Sequence, residues 1–309
     1  MPKLDLTEVG LEVAHDVRKA VANLPVDERG QLVNDRGGDQ TKRIDKVASD
    51  AAHSRLDTIG KVHGIKIILF DEEEPSEDIQ LGYPSGGIRV YGSLDPIDAS
   101  WNAVTGIPFF STLQAYTQPT DKDVSDLTFR DFYAGIVSEI ETMRERTWMG
   151  RVGEQSFKQD RRSNTIQKLV TTAITDPAQL RIILDSYTAE DRELCEKLFL
   201  PLRLGFKDSG RLYGFGLEAM ASVNPEGIEP GYAGAVAMNA KIENTIGPRI
   251  IFEAAGPNGK GGITSDYGGN LLDAYQFRGR SPHPNVVFAA NPEIHKYIIE
   301  QIRQARINL

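Results

Sequence analysis

Two aspartates three residues apart, Asp95 and Asp98, follow a segment that has the pattern of a β-strand. Residues 88–91 alternate apolar and polar side chains, as strands do, and Pro96 biases Asp95 toward an extended backbone. After the pair come a small residue, a hydroxyl and an amide, which can open a helix with free backbone N–H groups. A strand end that places two carboxylates beside a helix N-terminus can hold a divalent cation next to a phosphate. The segment therefore predicts a site that hydrolyses phosphate esters.

A second acidic segment follows the clearest predicted strand, residues 64–70. Its four acids, residues 71–74, repel one another unless they are solvated or neutralised by a cation. A charged surface turn and a contribution to a cation site therefore both stay open for this segment. Alternatives also stay open for Asp98, which could be only a helix N-cap, and for Asp45, which could be a solvated acid in a first helical turn.

The composition describes a soluble globular protein, with 40% hydrophobic and 26% charged residues in 309. A net charge of -9 and the lack of a dominant basic run argue against a nucleic-acid partner. No apolar run reaches membrane-spanning length and the N-terminus lacks the core of a signal peptide, so we expect no membrane partner. The single cysteine, Cys195, excludes an internal disulfide and predicts a reducing, cytoplasmic compartment. The histidines lack the spacing of zinc ligands.

Apolar periodicity predicts helices and then strands in the first half of the chain, and mixed elements from Ser163 onward. In the first half, helices are predicted at 6–24 and from Thr41, and Asp39 or Thr41 could be the N-cap of the second. Strands are predicted at 64–70, directly before Asp95, at 106–116 and at 132–140. A hairpin is predicted at 150–153. The second half has helices starting at 176 and 188 and covering 216–223, 243–253 and 292–305, a glycine-rich loop at 227–234, and strands at 262–264 and 286–288.

These segments resemble the inositol monophosphatase family, part of a superfamily of metal-dependent, lithium-sensitive sugar phosphatases that includes fructose-1,6-bisphosphatases. Glu72 and Glu73 after a strand resemble the family's first acidic pair, and residues 95–100 resemble its Asp-Pro-Ile-Asp-Gly-Ser/Thr signature. Asn102 and residues 106–109 extend the match in the manner of the archaeal-type members. Looser similarity lies at 38–41 with Asp45, at 253–256, at 264–266, at 270–273 and at 290–292.

The resemblance implies an α+β and α/β protein with the layered αβαβα sandwich of that superfamily. Its halves would be 1–162, which carries the acidic motifs, and 163–309, which closes the site. The implied activity is a Mg²⁺-dependent phosphatase acting on a small sugar or inositol phosphate monoester, with water activated by two or three metal ions. A homodimer is also implied.

The resemblance also assigns roles to individual residues. The implied metal ligands are Glu72, Asp95, Asp98 and the carbonyl of Ile97, the phosphate would contact Ala99 and Ser100, and Glu73, Thr41 and Asp45 would orient the attacking water. The chemistry is coherent, because Mg²⁺ prefers hard oxygen ligands and paired ions can activate water while neutralising the charge of phosphoryl transfer. No covalent nucleophile is required.

The sequence departs from the family pattern at three positions. Ala99 replaces the signature glycine. Its methyl group is tolerable only if φ is negative or the atoms of the pocket shift to accommodate it. The family's Trp-Asp-Ala-Ala-Gly motif is missing, and Glu243 stands where its ligand aspartate belongs. We predict Glu243 as a metal ligand, with a simple helix-start acid as the alternative. Phe215 stands where a serine is usual, so the contacts to the substrate ring are not carried over.

These departures leave two alternative functions open beside the sugar or inositol phosphatase. One is a family member that has lost catalysis and acts as a binding or regulatory protein, as Ala99 and the missing aspartate suggest. The other is a phosphatase for a 3′-phosphonucleotide, because the region where substrate contacts would lie resembles the family only loosely.

Overall fold

The computed structural model describes residues 4–35, 40–74, 78–83, 85, 88–141, 145–176, 181–185, 193, 197, 215–228, 232–277 and 284–307. The predicted helix that starts at 176 continues beyond the described residues, and the predicted helix at 188 and the predicted cap at Asp39 lie outside them. In the described part of the chain, no helix combines the length and the apolar character needed to cross a membrane.

The described strands, in chain order, are β1 (Leu32–Asp35), β2 (Gln40–Lys42), β3 (Lys66–Asp71), β4 (Ile79–Gly82), β5 (Arg89–Asp98), β6 (Ser111–Thr117), β7 (Phe132–Glu139), β8 (Arg146–Arg151), β9 (Phe157–Asp160), β10 (Thr165–Thr171), β11 (Ile182–Asp185), β12 (Val223–Pro225), β13 (Gly234–Ala237), β14 (Ile263–Asp266) and β15 (Val286–Ala289). The described helices are α1 (Leu6–Ala22), α2 (Arg43–His63), α3 (Ser100–Thr105), α4 (Phe215–Met220), α5 (Ile242–Glu253) and α6 (Pro292–Ile307).

Two main sheets organise these strands. The larger has nine strands in the order β12-β10-β9-β8-β7-β6-β5-β3-β4, and the smaller has the order β11-β13-β15-β14. Within the larger sheet β3 and β5 are parallel, whereas the other pairs are antiparallel. β1 and β2 form a separate two-stranded ribbon that leads into α2.

The first helix shows how the sequence pattern leads to a buried helix face. Asp5 caps α1 by accepting the backbone N–H groups of Thr7 and Glu8 at 3.0 and 3.2 Å. Four valines spaced four residues apart form one buried face, and that face packs with α2 against the larger sheet. The buried valines are Val9, Val13, Val17 and Val21.

The elements form five layers, which are held together by three apolar cores. One core lies between α1 with α2 and one face of the larger sheet. A second fills the space between the opposite face, α4 with α5, and the smaller sheet. A third lies between the smaller sheet and α6. The order is therefore helix, sheet, helix, sheet, helix, which confirms the predicted sandwich.

Two glycines let α5 lie directly against the larger sheet. A Cβ at Gly135 of β7 would come within 2.4 Å of the Gly247 carbonyl oxygen in α5. A Cβ at Gly247 would come within 2.5 Å of the backbone carbonyl oxygen of Gln114 in β6. Both distances are far shorter than a carbon–oxygen contact allows, so only glycine fits at either position.

Several element bounds differ from the sequence prediction. The strand predicted to start at residue 106 begins at Ser111, because Gly106 has a positive φ of 76° and ends α3. Lys42, rather than Thr41, precedes α2, and the Asp45 carboxylate accepts its backbone N–H. The larger sheet continues beyond the predicted boundary at residue 162, through β10 and β12. The division into two halves at that residue stays a prediction.

Candidate active site

Two parallel strands bring the two acidic segments together. Asp71 at the end of β3 pairs in register with Leu94 of β5, and the backbone N–H of Glu72 donates to the Leu94 carbonyl at 3.0 Å. Carboxyl ends of parallel neighbours lie at the same edge of a sheet. Glu72 and Asp95, the residues that follow this pair, therefore stand side by side, as the sequence predicted.

Asp95 is buried beside Glu72, which is partly exposed. Asp95 is 2% exposed, and burial, together with the charges of Glu72 and Asp98, raises its pKa well above the usual range. A hydrogen bond joins Asp95 to Glu72. The Asn244 amide, with its nitrogen turned toward the acids, donates to Glu72 Oε2 at 3.2 Å and to Asp95 Oδ2 at 3.1 Å. The first turn of α5 thus reaches the carboxylates of β3 and β5.

Asp98 ends β5 and is held by both neighbouring elements. The backbone N–H of Gly216 in α4 donates to Asp98 Oδ2 at 3.0 Å, and the Ser111 hydroxyl lies 3.5 Å from the same oxygen. Burial raises the pKa of Asp98 to about 7, and the charges of Glu72 and Asp185 act in the same direction. The larger sheet and α4 therefore meet at this carboxylate, and Asp185 of β11 is close enough for its charge to act on it.

The three residues predicted to orient water also come together. Thr41 hydrogen-bonds the Glu73 side chain, and the charge of Asp45 acts on Glu73. Burial raises the pKa of Asp45 to about 7 and that of Glu73 to about 8. Asp45 Oδ1 is buried and has no hydrogen-bond partner among the described residues, although Oδ2 accepts the Lys42 N–H. Such an oxygen fits a bound cation or water.

Two lysines reach into this acidic region. Lys241 Nζ, just before α5, lies 2.5 Å from Glu72 Oε1, and its charge also acts on Asp45 and Asp95. Lys42 Nζ donates to the hydroxyl of Ser100 at 2.8 Å. The Lys241 ammonium therefore faces a predicted metal ligand, and the Lys42 ammonium contacts a residue predicted to bind the phosphate.

A separate buried network supports the turn that carries Glu73. Asp71 is fully buried, and its Oδ2 accepts the Ser49 hydroxyl at 2.5 Å and lies 2.7 Å from His53 Nε2. Asp71 Oδ1 accepts the backbone N–H of Glu73 at 2.8 Å. Asp45, Ser49 and His53 follow at four-residue intervals along α2, so one face of this helix serves both the network and the site.

Ala99 adopts the conformation that the sequence analysis identified as costly. Its φ of 68° and ψ of 47° lie in the left-handed region, where a Cβ is unfavourable by about 1–2 kcal/mol. The Ala99 carbonyl accepts the Asn102 backbone N–H at 2.9 Å, which closes the first turn of α3. The condition of a negative φ is therefore not met, and the strain is retained.

The remaining predicted residues occupy buried positions nearby. Ile97 is 5% exposed within β5, between Asp95 and Asp98. Glu243 is 6% exposed in the first turn of α5, flanked in sequence by Lys241 and Asn244. The assignments of Ile97 and Glu243 as metal ligands stay predictions. Phe215 is 1% exposed and packs edge-on against Phe288, so it is a core residue rather than a contact to substrate.

The carboxylates suit a hard divalent cation in type, burial and charge. Like charges held together in a dry site repel one another, and a cation removes that repulsion. Across the described residues, however, no three histidine, cysteine, aspartate or glutamate side chains have their donor atoms already placed around one point. The Lys241 ammonium faces Glu72 in this structure. A cation would draw the carboxylates together and replace that ammonium at Glu72.

Four features of the site were not predicted from the sequence: Lys42, Lys241, the Asn244 amide and the buried network around Asp71. Lys42, Lys241 and Asn244 have neighbours in sequence that were predicted site residues, and this adjacency was the one signal available for them. Asp71 was noted only as part of an acidic run. Its link to His53 joins residues 18 apart, and no short motif reveals it.

No family model matches the chain. The chain is 32% identical over 143 residues to a fructose-1,6-bisphosphatase/inositol-1-monophosphatase of Archaeoglobus fulgidus, covering 46% of this chain and 48% of that protein. It is 31% identical over 147 residues to a bifunctional NADP phosphatase/NAD kinase of Methanococcus maripaludis, covering 45% of this chain and 24% of that protein. The matched segments thus span less than half the length of these curated relatives.

The structural likeness extends over nearly the whole chain. An inositol monophosphatase of Thermotoga maritima superposes with a TM-score of 0.67 at 17% identity, covering 99% of both chains. A likeness at this level of identity establishes the fold, and the curated relatives add a likeness in sequence. With its acidic segments at 72–73 and 95–98 gathered at one edge of that fold, the chain has the fold of solved inositol monophosphatases and resembles a fructose-1,6-bisphosphatase/inositol-1-monophosphatase in sequence over 143 residues.

Proposed function

We propose that this protein is a Mg²⁺-dependent phosphatase that hydrolyses a small sugar or inositol phosphate monoester. The observation that carries the proposal is the gathering of buried carboxylates from three separate elements, with pKa values raised by burial and mutual repulsion. Structural acids are not concentrated in this way without compensation, because each charge destabilises its neighbours. The name of the Archaeoglobus fulgidus relative, a fructose-1,6-bisphosphatase/inositol-1-monophosphatase, agrees with this class of substrate.

The donor chemistry indicates which residues would hold the metal. Glu72, Asp95, Asp98 and the Ile97 carbonyl offer hard oxygen ligands, and Glu243 lies close to them in the first turn of α5. When bound, Mg²⁺ would lower the pKa of a water molecule and offset the charge of the phosphate.

The other residues have roles that their contacts define. Glu73, with its pKa raised to about 8 by burial, is suited to accept a proton from the attacking water near neutral pH. Thr41 fixes the orientation of Glu73 through their hydrogen bond, and Asp45 offers its unpartnered Oδ1 to the same water. Lys42 and the Ser100 hydroxyl would bind phosphate oxygens, which charge-assisted donors favour.

Phosphate release from a panel of esters tests the proposal directly. The panel holds inositol 1-phosphate, fructose 1,6-bisphosphate and 3′-phosphoadenosine 5′-phosphate, each assayed with Mg²⁺, with EDTA and with Li⁺ added to Mg²⁺. Turnover that requires Mg²⁺ supports the proposal and identifies the substrate class. The absence of turnover in a folded protein that does not bind Mg²⁺ contradicts it.

Asp95→Asn tests the metal site with little change in shape. It removes a charged ligand but keeps the side-chain volume, so we expect activity to fall by about a hundredfold or more while the fold is retained. Asp50→Asn is the matched control, because Asp50 is exposed and pairs with Lys46 on the surface of α2. Full Mg²⁺-dependent activity in Asp95→Asn would contradict the proposal.

Two observations favour a second candidate, a family member that binds a phosphorylated ligand without turning it over. Ala99 keeps a strained positive φ in the signature motif, and Lys241 faces a predicted metal ligand. Binding of an inositol phosphate, measured by calorimetry, in the absence of any turnover would support this candidate. Turnover that disappears with EDTA would exclude it.

The homodimer and the cytoplasmic location implied by the family resemblance belong to the same proposal. The single cysteine supports a reducing compartment. Light scattering after size-exclusion chromatography should give twice the chain mass of 34.1 kDa, and the mass of one chain would remove the dimer from the proposal.

A further inference from the structure

Two lysines approach the acidic site from opposite faces of the larger sheet. Lys42 directly precedes α2, which packs on one face, and Lys241 directly precedes α5, which packs on the other. The Lys42 ammonium donates to the Ser100 hydroxyl, and the Lys241 ammonium contacts the Glu72 carboxylate. Both cations therefore lie at the sheet edge where the carboxylates gather, one from each side.

The Lys241 side chain can move while its backbone stays in place. Its backbone carbonyl accepts the Thr245 hydroxyl at 2.8 Å within the first turn of α5. The Lys241 side chain is 32% exposed and that of Glu72 is 18% exposed. An ion pair in contact with water is weakly held, and the four-carbon stem of a lysine is flexible. The ammonium can therefore leave Glu72 without any change in the helix.

A divalent cation at Glu72 would force that movement. The Lys241 ammonium lies 2.5 Å from Glu72 Oε1, an oxygen that the predicted metal ligand would offer to Mg²⁺. A cation bound at that oxygen would repel the nearby ammonium. The second oxygen, Oε2, already accepts the Asn244 amide at 3.2 Å. The displaced ammonium therefore needs a partner other than Glu72.

The phosphate of the proposed substrate fits this displaced charge. Metal ions neutralise the carboxylates, whereas a phosphate monoester brings about two further negative charges to the same sheet edge. Its oxygens accept charge-assisted hydrogen bonds, which are stronger than those between neutral groups. Lys42 approaches from one face of the sheet and contacts Ser100, a residue predicted to bind the phosphate. Lys241 would reach the same phosphate from the opposite face.

We propose that Lys241 exchanges partners: its ammonium pairs with Glu72 in the metal-free protein and binds a phosphate oxygen once Mg²⁺ occupies the site. The proposal rests on the proposed phosphatase function and adds a phosphate-binding residue to it. The exchange makes phosphate binding depend on the metal. Without Mg²⁺ the ammonium is held by Glu72, and the remaining carboxylates repel an anion.

Calorimetric titration with inorganic phosphate tests the exchange without turnover. In excess Mg²⁺, Lys241→Met should bind phosphate about tenfold more weakly than the wild type, the loss expected for one hydrogen bond to a charged group. The same variant should bind Mg²⁺ more tightly, because the competing ammonium is gone. Opposite changes in the two affinities distinguish a partner exchange from local damage, which would weaken both.

Two further variants complete the titration. Lys61→Met, on the surface of α2, is the matched control and should change neither affinity. Lys241→Gln removes the charge but keeps a polar side chain, and it should lose phosphate affinity as Lys241→Met does. The proposal is wrong if both Lys241 variants bind phosphate as tightly as the wild type in excess Mg²⁺. It is also wrong if the wild type binds phosphate no more tightly with Mg²⁺ than with EDTA.

Steady-state kinetics separates this proposal from the phosphatase itself. A contact to a phosphate oxygen exists before and during the reaction, so Lys241→Met should raise KM about tenfold and change kcat less than about threefold. If esters are hydrolysed with an unchanged KM in Lys241→Met, the exchange is wrong and the phosphatase stands. If phosphate binding requires both Mg²⁺ and Lys241 but no ester is hydrolysed, the phosphatase is wrong and the phosphate-binding role stands.

Discussion

His53 Nε2 lies 2.7 Å from Asp71 Oδ2, and this contact ties α2 to the end of β3 beneath the acidic site. The opposite oxygen of Asp71 accepts the backbone N–H of Glu73 at 2.8 Å. A fully buried carboxylate therefore fixes the turn that presents Glu73, and a histidine fixes the carboxylate. Residues that hold the groups around a metal site can matter nearly as much as the ligands.

His53→Ala should weaken the response to Mg²⁺ more than it weakens folding. Loss of the contact leaves Asp71 less constrained, so we expect the Mg²⁺ concentration at half-maximal activity to rise about tenfold, in the range reported for supporting residues. His63→Ala at the last turn of the same helix is the control. If thermal stability falls but the Mg²⁺ requirement does not change, His53 has only a structural role.

The metal-free protein should lose stability as the pH rises. The pKa values of Asp45, Asp98 and Glu73 are raised by burial to about 7, 7 and 8, so the folded state binds more protons than the unfolded state between about pH 4 and pH 8. The free energy of unfolding therefore decreases with pH across that window, by at most about 1.4 kcal/mol per pH unit for each group that is protonated only in the folded state. Urea unfolding in EDTA at pH 6 and pH 8.5 measures this change.

Magnesium should reverse that trend, because a bound cation favours the ionised carboxylates. The same unfolding experiment with excess Mg²⁺ should show equal or greater stability at pH 8.5 than at pH 6. A metal-free protein that is more stable at the higher pH would contradict the assignment of these acids as a repelling buried cluster.

Ala99→Gly should stabilise the protein by about 0.5–1 kcal/mol. Glycine removes the left-handed penalty at φ 68°, and the greater freedom of its unfolded chain cancels part of the gain. Ala103→Gly is the opposing control, since Ala103 is fully buried within α3 and its replacement should destabilise the protein. Denaturant midpoints of the two variants measure the difference, and a loss of stability in Ala99→Gly would contradict the interpretation of strain.

Lys241→Met should increase the affinity for Mg²⁺, because the ammonium faces Glu72 and competes with a cation for it. We expect the dissociation constant, measured by calorimetry, to fall several-fold, with a metal-free protein that is less stable. Lys61→Met on the surface of α2 is the control, since Lys61 pairs with Asp57 of the same helix. A weaker affinity for Mg²⁺ in Lys241→Met would show that this lysine supports the geometry of the metal site rather than competing with the cation for Glu72.

The sequence predicted the site best where the chain is locally regular. The alternation before Asp95 and the apolar run at 64–70 identified two strands, and their parallel pairing brought the two acidic segments together. The pattern also predicted α5, including the position of Glu243 in its first turn. These features depend on neighbours in sequence, which a periodic pattern records.

Contacts between distant segments escaped prediction for a physical reason. Lys241 meets Glu72 across 169 residues, and nothing in either segment alone specifies the meeting. β10 and β12 join the larger sheet through pairings that follow from packing of the whole chain rather than from local preference. The predicted start of the strand at residue 106 was wrong because residues 106–110 form a loop after α3, and within this apolar run only Phe110 is buried.

The close contact between Gly135 and Gly247 has a consequence for the site itself. α5 carries Asn244 and Glu243 at one end and rests on β6 and β7 at the glycine, one turn further along. The height of the helix above the sheet is therefore set by two missing side chains. A methyl at either glycine would raise the helix and move the Asn244 amide away from Glu72 and Asp95. The backbone contact at the two glycines therefore sets the distance between Asn244 and these carboxylates.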